Sequence, residues 1–155
     1  MEPEDELLFE ENPVETVSLS IPPWKILITD DAVDVHTSTV FGLAMVYIKN
    51  RPLEFLHAYS GAEAIQVIKD DPAIDLMILD AVMETDDAGL LCARHVKFVM
   101  ARNIPIIVMR TGFAGWELEL RKANLKGFAG ISDFLLKSEA SRDVLIAMLN
   151  KWLPD

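Results

Sequence analysis

Four short apolar runs in the 155-residue chain end in residues that could do chemistry. Lys25-Ile26-Leu27-Ile28-Thr29 leads into Asp30-Asp31, and Leu76-Met77-Ile78-Leu79 leads into Asp80. Ile106-Ile107-Val108-Met109 is followed by Arg110-Thr111, and the run ending at Leu136 by Lys137. Brought to one edge, the three carboxylates repel. Two unit charges about 4 Å apart cost several kcal/mol at an intermediate dielectric. They call for a cation, and hard oxygen ligands select Mg2+, which binds at roughly 2.0–2.1 Å and keeps several waters. A site of that kind gathers phosphate oxygens. The chemistry implied is phosphoryl transfer with a carboxylate as acceptor.

The elements that must position these residues follow from the hydrophobic pattern. From Trp24 the spacing predicts strands at 24–29, 53–58, 76–80, 105–109 and 130–136, each apolar enough to be buried on both faces. Helices are expected over 33–49 (Val33, Val40, Phe41, Ala44, Tyr47 and Ile48 as apolar positions) and from Gly61, where Ser60-Gly61-Ala62-Glu63 reads as a capping box. Further helices are expected over 87–102, over 113–125 and after Ser138 or Ser141. Five strand–helix units with short connections make a single α/β domain, a parallel sheet covered on both faces. In such sheets the ligand site lies beyond the carboxyl ends of the strands.

The residues in those places carry a specific resemblance. The chain from about Trp24 to Leu153 resembles the receiver domain of two-component response regulators. The matching pieces are Asp30-Asp31, Ser60-Gly61-x-Glu63-Ala64, Leu79-Asp80-x-x-Met83 with Gly89, Pro105-Ile-Ile-Val-Met, and Asp133-Phe134-Leu135-Leu136-Lys137. The resemblance implies a flavodoxin-like (βα)5 doubly wound sheet with strand order 2-1-3-4-5. It implies Asp80 as phosphoacceptor. Asp30, Asp31, Asp80 and the backbone carbonyl of Val82 would hold Mg2+. Lys137 would pair with the phosphoryl oxygens, Thr111 would be the switch hydroxyl, and Phe134 the aromatic that follows it. The implied donor is a sensor histidine kinase or phosphotransfer protein. The implied role is a signalling receiver that catalyses only its own phosphorylation and dephosphorylation, switching an output domain in the same longer chain or a partner protein.

The phrases around Val82–Leu90, Arg110-Thr111-Gly112 and the Trp24-Lys25 start are similar to a receiver subgroup. Chains of that subgroup often continue into a sensor-like middle domain and an HD-GYP cyclic-di-GMP phosphodiesterase, or another signalling output. Departures from the pattern are equally visible. Glu84 stands where most receivers have Pro, the loop to Gly89 is one residue longer, and Ser138 replaces a Pro. Counting from Pro105 puts Arg110 at the switch position. Thr111 is preferred because an Arg cannot reproduce the rotation of a small hydroxyl, and a one-residue bulge would reconcile the count.

Other residues have ordinary readings. His36, His57 and His95 lack metal-ligand spacing and read as surface positions, as Arg110 could equally be. Cys92 reads as a small packed hydrophobe, Met83 as packing, and Asp86 and Asp87 as an N-cap and a solvated turn. Trp116 and Trp152 read as core packing first. Receivers pair and meet outputs through their fourth and fifth helices, so a homodimer there is the assembly the resemblance allows.

Composition limits the alternatives. A net charge of −11 disfavours nucleic acid and anionic membrane as direct partners. Seven acids and no base stand before residue 16, so residues 1–23 read as an acidic leader, with Leu7-Leu8-Phe9 as its apolar island and the receiver domain spanning 24–153. No signal peptide or spanning run is visible, so the expected location is cytoplasmic. The competing function is a Mg2+-dependent aspartyl-phosphate phosphatase, which wants an Asp-x-Asp motif where this chain has adjacent acids. A flavodoxin-like phosphate-binding protein is the other, and it lacks a glycine between Asp30 and Asp34 to cradle a phosphate.

Overall fold

The computed structural model describes residues 21–100, 105–112 and 130–155. Most of the leader, the helix expected over 113–125 and Trp116 lie outside the described residues. In chain order the elements are β1 (Trp24–Thr29), α1 (Val33–Gly42), β2 (Tyr47–Ile48), β3 (Arg51–Ala58), α2 (Gly61–Asp70), β4 (Leu76–Asp80) and α3 (Ala88–Phe98). They continue with β5 (Ile106–Thr111), β6 (Asp133–Leu136), a 3-10 turn (Lys137–Glu139) and α4 (Arg142–Trp152).

The strands form one sheet in the order β2-β3-β1-β4-β5-β6. All pairings are parallel except β2 with β3. Without β2 this is the expected 2-1-3-4-5 order. The fold is flavodoxin-like, a doubly wound sheet carrying one extra edge strand.

Strand alternation divides the core between the two faces. Leu27, Met77, Leu79, Ile107 and Met109 pack with Ala64, Ile68, Cys92 and Val96 of α2 and α3. Ile26, Ile78, Val108 and Leu135 pack on the other side with Leu43, just past α1, and with Leu145 and Leu149 of α4. Both faces are covered, so the central strand β4 is fully buried and apolar up to its last residue, Asp80, whereas β3, next to the β2 edge, carries Arg51, Glu54 and His57.

The first helix differs from its expectation. It stops at Gly42 rather than 49, and Tyr47-Ile48 turns back as β2. The connection to β3 is the pair Lys49-Asn50, both with positive φ (51° and 67°), the conformation of a type I′ hairpin turn. The apolar residues expected to face the core are displaced as well: Val33, Phe41 and Tyr47 are exposed. The helix buries His36 and Thr39 instead. The inward face of α1 lies against the polar end of the sheet, so it is polar there, and apolar periodicity pointed to the wrong side.

Candidate phosphoacceptor site

Asp80 is the last residue of β4 and only 2 % exposed. Its carboxylate accepts an ion pair from Lys137 Nζ at 2.8 Å, reached from just beyond β6. Asp30 is buried one residue past β1, and Asp31 beside it is exposed. One carboxylate oxygen from each of Asp30, Asp31 and Asp80 lies within 4.8 Å of the others. The strand ends therefore bring the acids to one edge together with Lys137.

Local backbone holds this edge in place. Gly89, at the start of α3, donates its N–H to the Ala81 carbonyl at 3.0 Å. A Cβ on Gly89 would stand 2.2 Å from the Asp80 carbonyl oxygen, so only glycine lets α3 approach the loop after β4 this closely. The Val82 N–H lies 3.5 Å from Asp80 Oδ1, a long contact that turns the loop back toward the carboxylate. On the opposite side Asp30 Oδ1 accepts the Ala32 N–H at 2.9 Å.

The electrostatics follow from burial and neighbours. Burial pushes the Asp30 carboxyl above the usual carboxylate range. The Ala32 N–H opposes that shift, Asp80 adds to it, and Lys137 and Arg110 pull it back. Burial lowers the Arg110 guanidinium, against the attraction of Asp30 and Asp80. Asp30 Oδ2 is buried without a hydrogen-bond partner. An oxygen-only cluster of three carboxylates with an orphaned buried oxygen fits a hard divalent cation such as Mg2+.

Two residues sit otherwise than expected. β4 and β5 pair without interruption from Leu76↔Ile106 to Asp80↔Arg110, so no bulge shifts the count. Arg110 stands opposite Asp80 and, by strand alternation, on the same face of the sheet. It is 6 % exposed, which corrects the surface reading. Thr111 is buried one position further, on the alternate face with Ile107 and Met109. Phe134 is buried in that same cluster.

Some functional neighbours are not evident from the linear sequence. Arg110 Nη2 donates to Thr39 Oγ1 of α1 at 3.2 Å. His36, read as a surface residue, is buried. Its Nε2 lies 2.8 Å from the Asp30 carbonyl, which can only accept, so Nε2 carries the proton. His36 Nδ1 lies 2.7 Å from His57 Nδ1, a nitrogen–nitrogen hydrogen bond, and Tyr59 stacks on the His36 ring. Glu84 reaches the other way: both its carboxylate oxygens accept the Gly61 N–H at 3.0 Å, at the start of α2. That bond holds the Glu84 carboxyl below its ordinary range. The signal for Thr39 and His36 was their i, i+3 spacing on a helix whose apolar residues lie elsewhere.

Known proteins share this fold. No family model matches the chain. A 131-residue stretch is 34% identical to 3'3'-cGAMP-specific phosphodiesterase 2 of Vibrio cholerae serotype O1, covering 84% of this chain. The chain spans only 24% of that relative's length. Among solved structures, the Vibrio cholerae chemotaxis protein CheY4 superposes with a TM-score of 0.69 at 21% identity, covering 84% of this chain and 99% of that one. A response regulator receiver protein from Pseudomonas putida superposes with a TM-score of 0.63 at 25% identity, covering 83% and 97%.

Proposed function

We propose that this chain, which has the receiver-domain fold of response regulators, accepts a phosphoryl group on Asp80 and so switches a linked output. The observation that carries the reading is the Asp80 carboxylate itself. It is buried at a strand end, paired with Lys137 at 2.8 Å, and gathered with Asp30 and Asp31. A buried carboxylate among other carboxylates is costly unless cations compensate it, and the place where it is held is the ligand edge of this fold.

Each residue then has a defined task. One Asp80 oxygen attacks the donor phosphorus, the bond from phosphorus to the donor atom breaks, and the donor takes a proton as it leaves. The donor is the imidazole nitrogen of a phosphohistidine on a sensor kinase or phosphotransfer protein. Lys137 holds the carboxylate and then the phosphoryl oxygens. Asp30, Asp31, Asp80 and the Val82 carbonyl would hold Mg2+. The bound cation supplies charge neutralisation on the phosphoryl oxygens. Thr111 and Phe134 are the residues through which the resemblance would carry a change away from the site. The curated relative is named for a phosphodiesterase and is much longer than this chain. We therefore place a cyclic-dinucleotide phosphodiesterase as the output, in the same polypeptide or in a partner.

The test is direct. Acetyl phosphate with Mg2+ should add one hydroxylamine-labile phosphate per chain, and Asp80→Asn should abolish it. Undiminished labelling of the variant would remove Asp80 from the mechanism.

A further inference from the structure

Of the buried charged side chains among the described residues, Asp30, Asp80 and Arg110, only Arg110 is a cation. The phosphoacceptor reading gives it no task. Its hydrogen-bond partner is a neutral hydroxyl, Thr39 Oγ1 at 3.2 Å, and its Nε is buried with no partner at all. A guanidinium removed from water in this way is expensive unless an anion comes to it. The register puts Arg110 directly opposite Asp80, and strand alternation turns both toward the face that carries α1 and α4. Lys137 follows Leu135 on the same face by the same alternation. Beside these residues is a cavity of about 220 Å3 lined by Val35, Ser38, Thr39, Arg110, Lys137 and Arg142 among others, room for the guanidinium to change position.

We propose that Arg110 is a phosphoryl-binding residue, giving the anion on Asp80 a second fixed cation and leaving Thr39 to do so. The inference rests on the reading of Asp80 as phosphoacceptor. A planar guanidinium holds two oxygens of a tetrahedral anion in a fixed, parallel fork, a geometry that a hydroxyl or the rotatable donors of an ammonium do not fix. Moving the guanidinium breaks the hydrogen bond from Arg110 of β5 to Thr39 of α1, so the state of the acceptor is transmitted to α1. The same charge has a second consequence. A fixed cation beside Asp30 and Asp80 repels a divalent cation held by those carboxylates. Arg110 thus strengthens the site for an anion and weakens it for a metal ion.

Those opposite signs make the test. Mg2+ binding is measured by calorimetry on the full chain. Binding of fluoroberyllate, a phosphoryl mimic, is measured at saturating Mg2+ by 19F NMR. Arg110→Thr should bind Mg2+ several-fold more tightly and fluoroberyllate about tenfold more weakly. In the wild type, fluoroberyllate should speed amide exchange in residues 33–43, and in Arg110→Thr it should not. Loss of both affinities together, or a change in neither, overturns the proposal. If Arg110→Thr does not fold, Thr39→Val carries the test. It frees the guanidinium without removing its charge, so fluoroberyllate should bind more tightly at unchanged Mg2+ affinity, and unchanged fluoroberyllate affinity overturns the proposal. Wild-type protein that fails to bind fluoroberyllate, or Asp80→Asn that binds it equally well, overturns the Asp80 reading and this inference together. Normal wild-type binding with an unaffected Arg110→Thr overturns this inference alone.

Discussion

A methyl group at position 89 would meet the Asp80 carbonyl at 2.2 Å and Ala81 Cα at 2.7 Å, both backbone atoms that cannot rotate away. Gly89→Ala must therefore push α3 off the acceptor loop. The expected cost is about 3 kcal/mol, the upper range for overpacking a well-filled site, read as a lower urea midpoint. Loss of phosphate labelling should accompany it, because the displaced backbone carries Asp80, the proposed acceptor. Cys92 is a contrasting single residue, packed between α3 and the sheet with its thiol pushed up to about 12 by burial. Its folded value lies above the unfolded one, so the native state keeps its proton while the unfolded chain loses it. The stability tied to this group is intact below about pH 9 and is lost as pH rises toward 12. Native protein at pH 8 should leave Cys92 unmodified by a thiol-disulfide reagent, whereas urea-unfolded protein should react fully. Rapid labelling of the folded chain would contradict the packing described.

At the scale of elements, α2 shows how a local signal and a distant one combine. Ser60 Oγ accepts the Glu63 N–H at 3.1 Å, and Glu63 Oε1 accepts the N–H of Tyr59 at 2.8 Å, a capping box whose return bond falls one residue before the cap. Ser60→Ala should lower stability by about 1 kcal/mol, measured by denaturant unfolding at constant m. That box was legible in four consecutive residues. The Glu84 cap on the same helix was not, because it joins positions 23 residues apart and appears in sequence only as an acid in place of Pro. β4 and β5 are legible for a similar reason: burial on both faces leaves an uninterrupted apolar run that needs no partner to be recognised. The first helix was misread because its inward face serves a polar edge, where Thr39 and His36 replace aliphatic residues. The acids and Lys137 were found because each ends an apolar run. The place of Arg110 depends on the register of two strands, which periodicity does not encode.

Taken as a whole molecule, the chain divides its acidity between two places. Seven of its 25 acids precede residue 16, and the net charge of −11 is largely theirs. A smaller group of acids stands at the sheet edge, where Asp30, Asp31 and Asp80 oppose one another. Folding must bring these acids together, whereas unfolding separates them, so any cation they hold binds the native state alone. Linkage then requires that Mg2+ stabilise the fold by RT ln(1 + [Mg2+]/Kd), about 2.7 kcal/mol at a hundredfold excess over Kd. For a chain of this length that is a rise in Tm of roughly 8 °C. Matched ionic strength from KCl should give little of it, because screening acts on exposed charges and not on a coordinated ion. Asp31 is the member of the cluster that is exposed, so Asp31→Asn removes a ligand without opening the core. The variant should fold with at least wild-type stability in metal-free buffer, since one repelling charge is gone. It should show most of the Mg2+-dependent rise abolished. An equal rise in both proteins, or one reproduced by KCl, would mean that the cluster does not hold the ion.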